Sequence, residues 1–218
     1  MAGPARGVQN VPIAGPRERA MSALIVHSRF HLVVFYVALF VCFAPEWLGT
    51  FFQRVEPGAV KRDRGSHAWL FIAMGAGVFA AFFLVNADFP GTTLTWNQPL
   101  QFWIGVAVML AGLAFRWYAI HVLGKFFTRT VATRAGQHVV QDGPYRWIRH
   151  PSYSGALLMF LGMGIAMTNW AALLAIMLGA GIGYAWRVHV EEQVLCADLG
   201  QPYRDYMLRT RRFVPFVW

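Results

Sequence analysis

Between Arg149 and Arg187 the chain runs for 37 residues without a single Asp, Glu, Lys or Arg. A soluble surface needs a polar coat, so such a gap is hard to place in water. In lipid it is ordinary, because a spanning helix needs about 20 mostly apolar residues. The stretch is too long for one span, and Thr168-Asn169 near its middle is a turn signal. It therefore reads as two helices, at about 152–168 and 170–188, folded into a tight hairpin. Composition agrees. Of 218 residues, 57% are hydrophobic and 13% charged, where a soluble domain carries roughly 25% charged residues. Mean hydropathy is +0.43. These values point to an integral membrane protein and argue against a soluble globular enzyme, a disordered chain, a collagen-like fibre or a disulfide scaffold. Cys42 and Cys196 lie far apart in dissimilar surroundings, so neither a metal spacing nor a disulfide is expected.

Three further spans are expected upstream. The first covers about 30–52 with a bend near Pro45, the second runs from Ala68 to Val85, and the third from about Leu100 to Leu123. Residues 1–20 are rich in Gly, Pro and Arg and read as a mobile tail; a cleaved signal peptide is disfavoured by the late apolar run. The fold class is thus an all-α polytopic membrane protein with about five transmembrane helices. Residues 21–123 form an N-terminal three-helix part. Residues 124–218 form a core with a polar loop, two helices and a C-terminal polar helix from about 189. Glycines in the spans, Gly75 and Gly77, Gly105 and Gly112, Gly162 and Gly164, and Gly179, Gly181 and Gly183, are expected to let helices approach closely. A few of the glycines could instead leave room for a flat lipid chain.

The net charge of +9 does not form a basic stripe, so nucleic acid is not an expected partner. The cations sit at span ends, where membrane lipid headgroups are the natural partner. Loop 54–67, loop 124–149 and the C-terminal segment share one side and carry most of them, whereas loop 86–98 carries no Lys or Arg. The basic side is expected to be cytoplasmic. Arg6, Arg17, Arg19 and Arg29 fall on the opposite side and conflict with this orientation.

Polar chemistry gathers on that basic side. His150-Pro151 opens the fourth span, with Pro151 suited to a first helical position and His150 near the positive end of the helix dipole. At the end of the fifth span, Arg187 and Glu191 are one helical turn apart, followed by Glu192. Each feature alone has an ordinary reading: an interfacial ion pair, a loop histidine, or aromatic-belt residues at Tyr145, Trp147 and Tyr153. A tight hairpin brings Arg149–Tyr153 beside Arg187–Glu192, and a juxtamembrane ionisable cluster is a site hypothesis by default. His138, His150, His189, Glu191 and Glu192 are possible ligands but follow no metal-binding pattern, so no metal is expected.

The series Gly143-Pro144-Tyr145-Arg146, Arg149-His150-Pro151-Ser152-Tyr153 and Gly155 is followed by Asn169-Trp170, Arg187, Glu191-Glu192, Leu199-Gly200, Tyr203 and Tyr206. In this order it resembles the isoprenylcysteine carboxyl methyltransferase family, over about residues 120–216. Upstream, Leu123-Gly124 and the Gln137–Val140 segment also fit, the latter more loosely. The resemblance implies S-adenosylmethionine as methyl donor, leaving as S-adenosylhomocysteine. It would be held by Gln137, His138, Val139 and Val140, then by Tyr145, His150, Pro151, Ser152 and Tyr153, and by Glu191, with Arg149 and Glu192 in support. Arg187 falls where the family has an arginine near the acceptor carboxylate.

Such chemistry suits the residues. A sulfonium donor carries its own reactive carbon, and a carboxylate acceptor is already anionic at neutral pH. The protein has to align the reacting atoms and exclude water. Tyr145 or Tyr153 could face the sulfonium, a contact worth about 0.5–2 kcal/mol. The expected acceptor is lipophilic, an isoprenylcysteine-like carboxylate entering from the bilayer, while the donor enters by a separate polar entrance. A phospholipid N-methyltransferase shares the Arg-His-Pro region and is the first alternative. A membrane reductase and a non-catalytic transporter or scaffold are weaker ones.

Overall fold

The computed structural model describes residues 23, 25, 28–52, 60–61, 63, 65–128, 132–133 and 136–214. The proposed tail at 1–20 lies outside them. Six α-helices follow in order among the described residues: α1 (Arg29–Phe52), α2 (Ser66–Ala87), α3 (Gln98–Leu123), α4 (Pro151–Ala166), α5 (Trp170–Leu199) and α6 (Gln201–Arg209). Among the described residues the one sheet is a two-residue antiparallel ladder, β1 (Val60–Lys61) with β2 (Ala132–Thr133). It ties the α1–α2 connection to the loop after α3.

Windows of α1, α2, α3 and α5 are long and apolar enough to cross a membrane. Helix α4 is equally apolar but has 16 residues, short of the about 20 that a straight span needs. Helix α5 differs from the expected 170–188. It runs unbroken for 30 residues to Leu199, so residues 189–199 continue this helix, and the expected C-terminal polar helix starts later, as α6 at Gln201. Charges at Glu191, Glu192 and Asp198 do not break a helix; the break comes at Gly200, with a φ of 64° that favours glycine.

The expected hairpin is present. Three residues, 167–169, link α4 to α5, and the Asn169 side chain caps α5 by accepting from the Ala172 N–H at 2.9 Å. That turn is clasped to the loop before α3: Leu94 N–H donates to Thr168 O and Trp170 N–H to Thr92 O. The molecule thus has two distinct ends. One holds the 88–97 and 167–169 turns; the other holds the β ladder, the 137–150 loop and α6.

Close packing sets the helix pairs. The most extensive contacts are α3 on α4 and α2 on α5. A Cβ added at Gly105 or Gly162 would meet the facing backbone below 3 Å, as would one at Gly112, Gly77 or Gly179. These glycines serve helix approach. Gly75 and Gly181 face open space, so packing does not require them to lack a side chain.

Candidate active site

Two chambers with charged residues in their walls and one apolar groove adjoin, each sharing lining residues with the next. The first chamber is walled by the 137–140 loop, the start of α4 and the far end of α5. Of the expected donor residues it is lined by Gln137, His138, Val139, Val140, Tyr145, His150, Ser152, Tyr153 and Glu191, together with Arg149. Pro151, Glu192 and Arg187 do not line it. Pro151 instead takes the first helical position of α4, where its missing N–H costs nothing. Glu192 instead accepts from Arg149 Nε at 2.9 Å. Several lining residues were not expected: Phe126 and Thr128 after α3, Leu195 and Leu199 on α5, and Tyr203 and Tyr206 on α6. The two tyrosines belong to the quoted motif series, but sequence alone gave no reason to turn α6 back over the chamber.

Hydrogen bonds hold the chamber walls. Tyr206 O–H donates to Tyr145 O at 2.7 Å, fixing the short turn at 143–146. Tyr145 O–H donates to Ala119 O at 3.3 Å. Burial, and then the nearby Glu191 charge, pushes the phenols of Tyr145 and Tyr203 up, so both stay neutral at pH 7. His150 is 3% exposed and stacks flat on Tyr153, with ring centroids 5.6 Å apart and planes 9° from parallel. His138, by contrast, is exposed and meets Phe126 edge-on.

Tyr153 stands at the partition. Its hydroxyl donates to Glu191 Oε2 at 2.6 Å and accepts from Arg187 Nε at 3.3 Å. It lines the first chamber and also the second. The second chamber contains Arg187, Arg116, Glu46, His67 and Tyr184. Arg187, 2% exposed, donates from Nη1 to Asp63 Oδ1 and, at 2.8 Å, to Ser66 Oγ. Burial alone would raise the Asp63 carboxyl. The His67 amide, the Ser66 hydroxyl and the Arg187 guanidinium outweigh that and hold it below the usual carboxylate value. Arg116 makes a two-pronged ion pair with Glu46, both contacts at 2.7 Å, and donates from Nη1 to Ser152 O at 2.8 Å.

Glu46, Asp63 and the pairing of Arg116 went unread in the sequence. Glu46 and Arg116 carried a usable signal, since they are opposite charges in two otherwise apolar spans. Asp63 carried none, because its partner is 124 residues away.

The third space is an apolar groove between α1, α2 and α4, lined by Leu39, Gly75, Val78, Phe82, Phe160 and Met163. It shares Phe43, Phe71 and Met74 with the second chamber. Among the described residues no group of three or more His, Cys, Asp or Glu could hold a metal ion.

Comparison with known proteins bears on this arrangement. Residues 103–197 match the model of the isoprenylcysteine carboxyl methyltransferase family. A protein-S-isoprenylcysteine O-methyltransferase of Tribolium castaneum is 29% identical over 168 residues, covering 75% of this chain and 58% of its own length. Protein-S-isoprenylcysteine O-methyltransferase B of Arabidopsis thaliana is 32% identical over 134 residues, covering 59% of this chain and 65% of its own length. The chain therefore spans less than two thirds of the length of these relatives. The solved structure of the eukaryotic intramembrane Ras methyltransferase, an isoprenylcysteine carboxyl methyltransferase, superposes with a TM-score of 0.53 at 22% identity, over 86% of this chain and 63% of that one. This likeness concerns the fold.

Proposed function

We propose, with residues 103–197 belonging to the isoprenylcysteine carboxyl methyltransferase family, that the protein transfers a methyl group from S-adenosylmethionine to the carboxylate of a lipophilic, isoprenylcysteine-like acceptor. The observation that carries this reading is the sequence of spaces. A polar chamber, a chamber walled in part by charged residues and an apolar groove adjoin in turn, sharing lining residues, and Tyr153 lines the first two. A polar donor and a greasy acceptor can then meet from opposite directions.

The first chamber suits the donor. Glu191 offers a carboxylate to amino or hydroxyl groups, His150 lies at the N-terminus of α4 where a donor carboxylate is favoured, and Val194, Leu195 and Leu199 give an apolar wall for a flat base. When bound, the donor supplies an electrophilic methyl group on a sulfonium. Tyr153, at the partition, is better placed than Tyr145 to face that positive charge. Arg187 and Arg116 flank the second chamber and orient the acceptor carboxylate. That carboxylate brings its own anionic oxygen, so no residue is needed as a base. The buried walls exclude water and hold the reacting atoms in line. The acceptor tail lies in the groove, reached from the bilayer between α1 and α2. The five helices α1 to α5 all cross the membrane, α4 as its shortest member, and the donor chamber faces the cytoplasm, where the Lys and Arg residues concentrate.

Isothermal titration with S-adenosylhomocysteine tests the donor site. Micromolar binding to the intact protein, lost in Glu191→Ala and His150→Ala, supports it. Absence of binding to the intact protein refutes it. Transfer of labelled methyl groups to a prenylated cysteine, compared with a lipid-free carboxylic acid, tests the acceptor. A soluble acid as the best substrate would overturn the lipophilic assignment.

A further inference from the structure

The segment after α6 crosses the start of α4 as a strap. Arg149 N–H donates to Arg211 O at 2.7 Å, His150 N–H to Arg212 O at 3.1 Å, and Arg211 N–H returns to Trp147 O at 2.9 Å. The strap continues to Phe213, whose carbonyl accepts from Ser154 Oγ at 2.6 Å and whose ring lies 6.4 Å from that of His150. Backbone on backbone, it is bonded along the residues that open the donor chamber.

Its side chain adds a second grip. Arg212 Nη2 donates to Glu192 Oε2 at 2.8 Å. The same carboxylate takes Arg149 Nε at 2.9 Å and lies 3.4 Å from His150 Nε2. Glu192 is 5% exposed, and its oxygens are shared among these three neighbours. Arg149 is further fixed by Thr210 O at 2.6 Å and Met207 O at 2.9 Å. A buried carboxylate held by three partners fixes the direction of each, and removing one frees the others to turn.

We propose that Arg212 is a positioning residue for the donor site: through Glu192 and the strap backbone it sets the orientation of His150 and Arg149 in the donor chamber. Arg212 lies outside the family match at 103–197 and does not line the chamber, so it acts only through its neighbours. The proposal rests on the methyltransferase reading for its kinetic consequence and on the bonds just given for its structural one.

The test uses the full chain with Arg212→Ala and Arg212→Lys. Loss of a charged hydrogen bond that orients two chamber residues should weaken S-adenosylhomocysteine binding about tenfold and raise the donor KM by a similar factor. The acceptor KM and the kcat at saturating donor should stay within about twofold, because the second chamber is untouched. Arg212→Lys, whose ammonium can still meet one Glu192 oxygen, should recover most of the donor affinity. Hydrogen exchange in the ligand-free protein should show the Arg149 and His150 amides opening faster in Arg212→Ala, with α2 and α5 unchanged. Unaltered donor affinity, or a fall in kcat with donor KM unmoved, overturns the proposal. Should Arg212→Ala not fold, Arg212→Gln is judged by the same criteria. If the intact protein binds no S-adenosylhomocysteine, the methyltransferase reading fails. Exchange then still decides the strap, and unchanged amides at 149 and 150 overturn it.

Discussion

Glu46 on α1 grips Arg116 on α3 through both carboxylate oxygens, each contact at 2.7 Å. The guanidinium also holds Ser152 O in the first turn of α4. Arg116 thus joins α1, through the ion pair, to the start of α4, which walls the first chamber. Removing Glu46, which is only partly buried, leaves the Arg116 charge uncompensated, at a cost below the about 3–5 kcal/mol of a fully buried pair. Glu46→Ala should therefore lower the thermal unfolding midpoint in detergent markedly, and Glu46→Gln, which keeps a hydrogen-bond acceptor, should lower it less. Equal midpoints for the two variants, both of which remove the charge, would mean that the amide acceptor recovers nothing, and midpoints equal to that of the wild type would show that the pair does not stabilise the fold.

Arg187 is tied to Asp63, Ser66 and the Tyr153 hydroxyl, and so is oriented before any acceptor arrives. Arg187→Ala should leave S-adenosylhomocysteine affinity within about threefold while lowering turnover on a carboxylate acceptor about 100-fold, the order expected when a positioning contact is lost. Tyr153→Phe is the finer probe. It keeps the ring that stacks on His150 but removes the hydroxyl shared by Glu191 and Arg187. It should lower kcat more than it weakens donor binding. Collapse of donor binding in Arg187→Ala would move Arg187 into the donor site.

Much of the donor chamber was legible because it is nearly local. Gln137 to Tyr153 is one stretch of chain, and Glu191 comes beside it once the hairpin is closed by the turn at Thr168-Asn169. Charge placement and the turn signal bring Arg149–Tyr153 beside Arg187–Glu192, whereas the Gln137–Val140 wall was expected from the family resemblance alone. Neither signal reaches partners from the N-terminal half, because Glu46 and Asp63 meet their arginines only through helix packing. The end of α5 was misjudged for a related reason. Polar residues from Arg187 onward read as the end of a span, yet the same helix continues and keeps a buried face through Arg187, Val188, Val190, Glu192 and Val194, with His189, Gln193 and Asp198 exposed on the other.

The Asp63–Arg187 pair predicts a pH dependence. The Asp63 carboxyl is held below its ordinary value in the folded protein. Its contribution to stability is thus fully present above the unfolded-state carboxylate pKa and is lost as pH falls through the lowered folded value. The stability difference between the wild type and Asp63→Asn should be constant from about pH 6 to 8 and shrink in the acid range below the unfolded aspartate pKa of about 3.9. Chemical unfolding at a series of pH values measures it. A difference that grows on acidification would contradict the pairing.

Gly75 gives the sharpest test of the acceptor route. A Cβ there would meet nothing within 4 Å, whereas Gly77, two residues on, is pressed against Ala175 O and Gly179. Gly77 is small because α2 must approach α5; Gly75 lines the apolar groove, where a side chain would occupy the room proposed for an acceptor tail. Gly75→Phe should therefore fold, bind S-adenosylhomocysteine as the wild type does, and discriminate between acceptors by tail length. Long isoprenoid tails should lose kcat/KM by about tenfold or more, the scale of a poorly seated apolar group of a few methylenes at about 0.8 kcal/mol each. Short-tailed acceptors, which stop before Gly75, should be methylated normally. At the far end of the groove Phe82 packs against Phe35 and stacks on Tyr36, so Phe82→Ala should shift preference the other way, toward longer tails. Uniform loss across all tail lengths in Gly75→Phe would show that the tail does not lie along α2, and the route from the bilayer would have to be sought elsewhere.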